Sequence, residues 1–274
     1  MRDLGADESV VQLEVGGVEA VPAILQLPQL DTPVPAVLLL HGFTSRKEAM
    51  ATSIGRALFE QGVASLAIDL PMHGQRNGAD HPLSTANPMA LVDSWHRALH
   101  EAGLAVAYLA EHRGIDSARI AIAGYSLGAY LSVCLAADDP RICAVALTAG
   151  GDLPASIPFL PLVRTIVDPC DAVQHLSGRP LLLMNGKGDP RILPAQVNRL
   201  FAAAGEPKEQ RWYDGGHWPP PSAMNDVAEW LASRLEAHPS AASSMLDEQG
   251  DSSPHRPPRT ATRSRSRTRS DPLR

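Results

Sequence analysis

The run Pro35-Ala36-Val37-Leu38-Leu39-Leu40 offers water no polar position on either side of an extended chain. Side chains alternate between the two faces of a strand, so a run without polar alternation must be covered on both. Strands of that kind belong to parallel sheets held between layers of helix. Similar apolar runs return at 64–69, 119–123, 142–148 and 180–185, and a shorter strand is read at 208–213. Helical stretches fall between them, at 47–61, 88–113, from Ser126 to 137, 193–204 and 221–237. Two earlier strands, 10–15 and 18–27, flank Gly16-Gly17, a hairpin signal. The expected class is therefore α/β: a mostly parallel, doubly wound sheet with helices on both faces and an N-terminal β-hairpin.

Residues 1–238 are long enough for one such domain. Aromatic residues make up only 4% of the chain, so Leu, Val, Ile and Ala must build its core. Pro239–Arg274 differs sharply, being rich in Ser, Pro, Arg and Thr. It cannot bury enough apolar surface to offset its ordering entropy, and a disordered tail is expected over 239–274.

From residue 256 onward the tail carries seven Arg and one Asp, a balance of +6, which leaves −12 on the rest of a chain whose net charge is −6. So acidic a body disfavours nucleic acid as a partner. The Arg-Ser alternation over 263–270 leaves room for weak anion binding, although its plain reading is a solvated tail. Cys134, Cys143 and Cys170 have no metal-type spacing and read as free thiols in a reducing, cytoplasmic setting. The first eight residues hold no apolar signal core, and no apolar run reaches the ~18 residues of a membrane helix. Neither a membrane nor a particular oligomeric state is indicated.

The chemistry centres on Gly124-Tyr125-Ser126-Leu127-Gly128. Gly-x-Ser-x-Gly is a weak signal alone, but here it follows an apolar strand and opens a helix. A serine on so tight a turn is lifted to the carboxyl edge of the sheet, and Gly124 and Gly128 remove side chains that would collide with neighbouring backbone. The amide of Leu127, at the helix N-terminus, can face a developing oxyanion. The loop after strand 35–40, beginning His41-Gly42-Phe43-Thr44, supplies the second donor candidate, the amide of Phe43. Gly42 gives the loop its close turn and His41 braces it; the plain alternative is an ordinary strand-ending turn.

A serine hydroxyl needs a base near neutral pH, and the base needs an orienting acid. His217, in Gly215-Gly216-His217-Trp218, lies after the last short strand and before the last helix, and is the base candidate. Asp189 follows the strand 180–185 on a loop at the same sheet edge and is the acid candidate, with Asp152, Asp168 and Asp171 as weaker rivals. Arg76 or His73, on the loop after strand 64–69, has two readings: meeting an acidic group of the substrate or, more plainly, hydrogen-bonding the loop. His96 and His100 lie four apart on a helix, yet no third ligand stands at a recognisable spacing, so no metal is expected.

These residues resemble the α/β-hydrolase superfamily in the order Ser, Asp, His. Within it the chain is similar to the dienelactone hydrolase and prolyl-oligopeptidase-like esterase branch. The resemblance rests on His41 to Glu48, Asp69 to Arg76, Gly124 to Gly128, Asn185 to Asp189 and Gly215 to His217. It implies a nucleophile at Ser126, an acid at Asp189, a base at His217 and oxyanion donors at Phe43 and Leu127. Dienelactone hydrolases use a cysteine nucleophile, so Ser126 implies a carboxylesterase-type enzyme acting on small-molecule esters through an acyl-enzyme, with no cofactor. A prolyl-oligopeptidase-type enzyme would carry a large propeller, for which these 274 residues leave no room. The segment 152–170, where the superfamily inserts lids, is short and implies a small cap or none. Dienelactone hydrolase-like, peptidase and thioesterase activities remain open with the same triad, as does a silent binding protein.

Overall fold

The computed structural model describes residues 6–15, 18–76, 88–155, 157, 159–176 and 178–240. Eight strands, β1 (Ala6–Val15), β2 (Val18–Pro28), β3 (Val34–Leu40), β4 (Ala64–Ile68), β5 (Ile115–Tyr125), β6 (Ile142–Thr148), β7 (Leu181–Gly186) and β8 (Lys208–Tyr213), form one sheet. Their order is β1-β2-β4-β3-β5-β6-β7-β8. β1 and β2 make the antiparallel hairpin, and β2 joins β4 antiparallel. The other neighbours all pair parallel. This is the doubly wound α/β sheet that the apolar runs require.

Both sheet faces are dry, as the absence of alternation demands. Leu38, Leu40, Ile120, Ile122, Val145, Leu147, Leu181 and Leu183 face one layer of the core. There they meet α3 (Pro88–Glu111), α4 (Leu127–Asp138) and α7 (Pro194–Ala203). Val37, Leu39, Ala121, Ala123, Ala144, Ala146, Leu182 and Met184 face the other, against the helical segment that follows β3 and α8 (Pro221–Ala237). The second face is rich in alanine, which lets its helices approach the sheet closely.

Three details depart from the sequence reading. The helix expected over 47–61 is built of α1 (Lys47–Met50), a π-helical turn (Ala51–Gly55) and α2 (Arg56–Phe59). The wide turn ends at Gly55, where a Cβ would come 2.5 Å from Gln26 Oε1, so the helix closes onto β2 there. β5 starts at Ile115, earlier than the apolar run alone marks it. The stretch before β7 is partly helical, with α5 (Leu160–Arg164), α6 (Pro169–Ala172) and a 3-10 turn (Val173–Leu176). Asp168 caps α6 by accepting from the amides of Cys170 and Asp171, with Pro169 at the first helical position.

The Gly16-Gly17 turn, most of the loop 71–87 and residues 241–274 of the expected tail lie outside the described residues. No helix among the described residues is long and apolar enough to cross a membrane.

The tightest constraint in the sheet concerns α4. A Cβ on Gly128 would overlap the carbonyl of Leu40 at the end of β3, and one on Gly124 would overlap the carbonyl of Gly128. Both obstacles are backbone and cannot rotate away. Gly128→Ala is therefore expected to lose about 2–3 kcal/mol in urea denaturation. Gly205→Ala, where a Cβ meets nothing within 4 Å, should stay within about 0.5 kcal/mol of the parent. Equal losses in the two variants would contradict the packing account.

Candidate active site

The chain reverses its winding direction between β3 and β5. From β3 it crosses to β4 on one side, whereas β5 pairs on the other. Loops leaving the carboxyl ends of such a strand pair diverge and open a crevice. The register pairs Leu40 with Gly124, so His41–Thr44 and Tyr125–Ser126 emerge side by side. The fit is close: a Cβ on Gly42 would come 2.7 Å from the Tyr125 ring and 3.3 Å from Ser126 Cβ.

Ser126 has φ 51° and ψ −110°, a backbone state that side chains disfavour. Its surroundings hold it there. The Ser126 amide donates to the Thr148 carbonyl at 2.9 Å, and its own carbonyl accepts from the amides of Ala129 and Tyr130. Thr44, Met72 and Ala149, which follow β3, β4 and β6, also have positive φ (61°, 64° and 51°). Strain thus gathers at the ends of four adjacent strands, as it does around functional sites.

Three distant side chains meet at this edge. His217 Nε2 lies 2.9 Å from Ser126 Oγ, and His217 Nδ1 lies 2.8 Å from Asp189 Oδ2. The other oxygen of Asp189 accepts from the amides of Arg191 and Ile192 at 2.8 and 3.0 Å. This fixes the carboxylate plane and leaves Oδ2 for the imidazole. Asp189 and His217 are buried, so their hydrogen bond is shielded from competing water. The loops carrying them also touch: a Cβ on Gly186 would overlap the carbonyl of Gly216. Among the weaker acid candidates, Asp152 pairs with Arg164 and Arg199, Asp168 with Arg164, and exposed Asp171 approaches His175.

Leu127 is the first residue of α4, and a helix leaves its first amides without an intrahelical acceptor. Phe43 sits in the turn closed by the Ser45 amide on the Gly42 carbonyl, at 3.1 Å. His41 is fully buried and spans this loop: Nδ1 meets the Gly42 carbonyl at 2.8 Å, and Nε2 accepts from the Leu70 amide at 3.0 Å. Both ring nitrogens are used in the neutral form. Burial pushes the His41 pKa down to about 4, against a smaller upward pull from the Gly42 carbonyl.

The loop after β4 is held by charges whose partners no local motif marks. Asp69 accepts from the Lys47 amide and ammonium at 2.9 and 2.8 Å and from the Gln75 amide at 3.0 Å. Despite burial, these donors keep its carboxyl below the usual range. Arg76 is buried in a two-pronged pair with Glu101 and donates to the Asp69 carbonyl. His73 Nδ1 meets the Pro71 carbonyl at 2.8 Å, and its ring sits edge-on to His41 and Phe43. Of the two readings, both side chains show the loop-bracing one.

His96 and His100 are exposed. Asp152, Asp168 and Cys170 bring possible ligand atoms within 4.8 Å of one another, but both carboxylates are already occupied by arginines.

Comparison with known proteins agrees with this architecture. A family model described as "Serine aminopeptidase, S33" matches residues 31–170. Polyketide transferase ATR5 of Stachybotrys chlorohalonatus is 27% identical over 212 residues, covering 71% of this chain and 67% of its own length. Esterase YjfP of Escherichia coli is 28% identical over 222 residues, covering 72% of this chain and 86% of its own. The crystal structure of TT1662 from Thermus thermophilus superposes with a TM-score of 0.70 at 24% identity, over 85% of this chain and 100% of that one. None of these matches singles out the dienelactone hydrolase branch.

The buried His41 makes stability depend on pH. Between about pH 6.5 and 4 the unfolded chain protonates this imidazole and the folded chain does not, so the unfolded state binds more protons. Its contribution is complete above about pH 6.5 and falls away as the pH drops toward 4, by about 3 kcal/mol in all. Urea denaturation across that window should show His41→Gln losing less stability on acidification than the parent. Parallel pH profiles would contradict the assignment.

Proposed function

The chain belongs to the S33 serine aminopeptidase family of the α/β-hydrolase superfamily, and on that premise we propose that it is a carboxylesterase-type serine hydrolase of small acyl esters. One observation carries the reading: the hydrogen-bonded series Asp189–His217–Ser126, with spacings of 2.8 and 2.9 Å. Asp189 holds the imidazole with its proton on Nδ1, leaving Nε2 free to take the proton of Ser126. Ser126 Oγ attacks the ester carbonyl, and the amides of Phe43 and Leu127 receive the oxyanion. Donors of this type are worth about 3–4 kcal/mol each in related chemistry. As the intermediate collapses, His217 returns the proton to the departing alcohol and an acyl-Ser126 ester remains. His217 then deprotonates water, which attacks that ester; the acid leaves and Ser126 regains its proton. Ester and water become acid and alcohol, and every proton passes through one ring nitrogen.

The similarity to an esterase of Escherichia coli supports ester over amide as the substrate bond. The shortness of the segment between β6 and Asp168, whose regular part is the five-residue α5, supports a small cap and small or flexible acyl groups. The exposed side chains of Phe43 and Trp218 give this edge an apolar surface. The thiols of Cys134, Cys143 and Cys170, all free, support a reducing cytoplasmic setting. On this reading residues 1–238 are the catalytic domain, and 239–274 take no part in the chemistry.

With p-nitrophenyl esters, kcat/KM should be greatest from acetyl to butyryl and fall toward dodecanoyl. Ser126→Ala should lower kcat by about 10⁴-fold or more, and Asp189→Asn by about 10³–10⁴-fold. Faster turnover of an aminoacyl p-nitroanilide than of the matched ester would overturn the ester assignment.

A further inference from the structure

Few regular elements hold the base candidate in place. Residues 214–220 lie outside any helix or strand, and two glycines precede His217. What fixes this loop is a series of hydrogen bonds to alternate carbonyls. The Tyr213 carbonyl accepts from the Lys187 amide at 3.0 Å, and the Gly215 carbonyl from the Gly188 amide at 2.9 Å. These two bonds tie the loop to the turn that carries Asp189. The next carbonyl in the series is that of His217 itself, and side chains supply its donors. The hydroxyls of Tyr125 and Tyr213 both donate to it, each at 3.3 Å.

We propose that Tyr125 and Tyr213 are a paired positioning device for His217. Their hydroxyls fill the two lone pairs of its backbone carbonyl and lock the imidazole between Ser126 and Asp189. A carbonyl oxygen can accept two hydrogen bonds, so the two donors do not compete. Both phenols are buried, at 5% and 7% exposure, and a buried hydroxyl left without an acceptor is costly. Burial raises both phenol pKa values, that of Tyr213 to about 12, so both groups remain donors.

The two tyrosines approach from different strands. Tyr125 ends β5 beside the nucleophile, and its ring also lies 5.5 Å from the imidazole. Tyr213 ends β8 at the start of the loop. The backbone of His217 is thereby referred to both the serine strand and its own strand, independently of the side-chain contacts among Ser126, His217 and Asp189. Gly42 is part of the arrangement, because any side chain there would displace the Tyr125 ring.

The inference rests on the reading of His217 as the base, and its test has one arm that does not need activity. His217-Trp218 is the only His-Trp pair in the chain. Carbonyl-¹³C histidine with ¹⁵N tryptophan therefore reports this one carbonyl in the full-length protein. Tyr125→Phe and Tyr213→Phe should each move its ¹³C resonance in the same direction, because each removes one hydrogen bond. In ester hydrolysis each single variant should keep kcat within about threefold, while the double variant falls by about tenfold or more beyond the product of the two losses, with KM within about twofold. A carbonyl resonance that moves in neither single variant overturns the pairing. So does a folded double variant whose kcat is only the product of the single effects. If the double variant does not fold, the carbonyl shifts of the single variants decide. A wild type inert toward esters would sink the esterase reading and leave the carbonyl arm to judge the clamp.

Discussion

Where α4 begins, its first turn lies directly against the end of β3, with the hydrogen of Gly128 facing the Leu40 carbonyl. Much of the candidate site depends on that approach. It brings the N-terminus of α4 to the sheet edge, beside the loop that leaves β3. It also forces the chain between β5 and α4 into the turn that gives Ser126 its positive φ. Gly42 extends the same packing on the other side of the nucleophile, against Tyr125. A turn packed against backbone in this way has little freedom to relax, and that rigidity is what electrostatic stabilisation of an oxyanion requires.

Around this centre, buried polar groups join the loops after β3 and β4 to each other and the second of them to α3. His41 bridges Gly42 to Leu70, Lys47 is held by Asp69, and Arg76 by Glu101. Replacing such buried pairs with apolar side chains often leaves stability unchanged or raises it, so net stabilisation does not account for them. Their effect is geometric. They tie His41–Lys47 to Asp69–Leu70, and Arg76 to α3, at the sheet edge that carries Ser126.

The sequence made the sheet readable because an uninterrupted apolar run has few alternatives to a doubly covered strand. The turn at Ser126 was readable for a local reason: strand, glycine, serine, glycine and helix are contiguous. The Asp168-Pro169 pair is an equally local signal, a helix cap followed by a first-position proline, although the pattern of apolar runs marks no helix there. Lys47 and Glu101 could not be matched to their partners, which lie 22 and 25 residues away. Such pairings are set by how loops fold back on the sheet, and spacing does not encode them. The tyrosine hydroxyls belong to the same class: Tyr125 stands in the motif itself, yet its acceptor is 92 residues away. For Asp189 and His217 the order along the chain was legible, and the structure adds their distances to each other and to Ser126.

The imidazole of His217, 2.9 Å from Ser126 Oγ, is placed to make that hydroxyl a nucleophile. Brief exposure of the full-length protein to a fluorophosphonate, followed by digestion and mass spectrometry, tests it most directly. A single stoichiometric adduct on Ser126 is expected in the wild type, with labelling slowed by orders of magnitude in His217→Ala. A folded wild type that is not labelled, or an adduct on another residue, would contradict it.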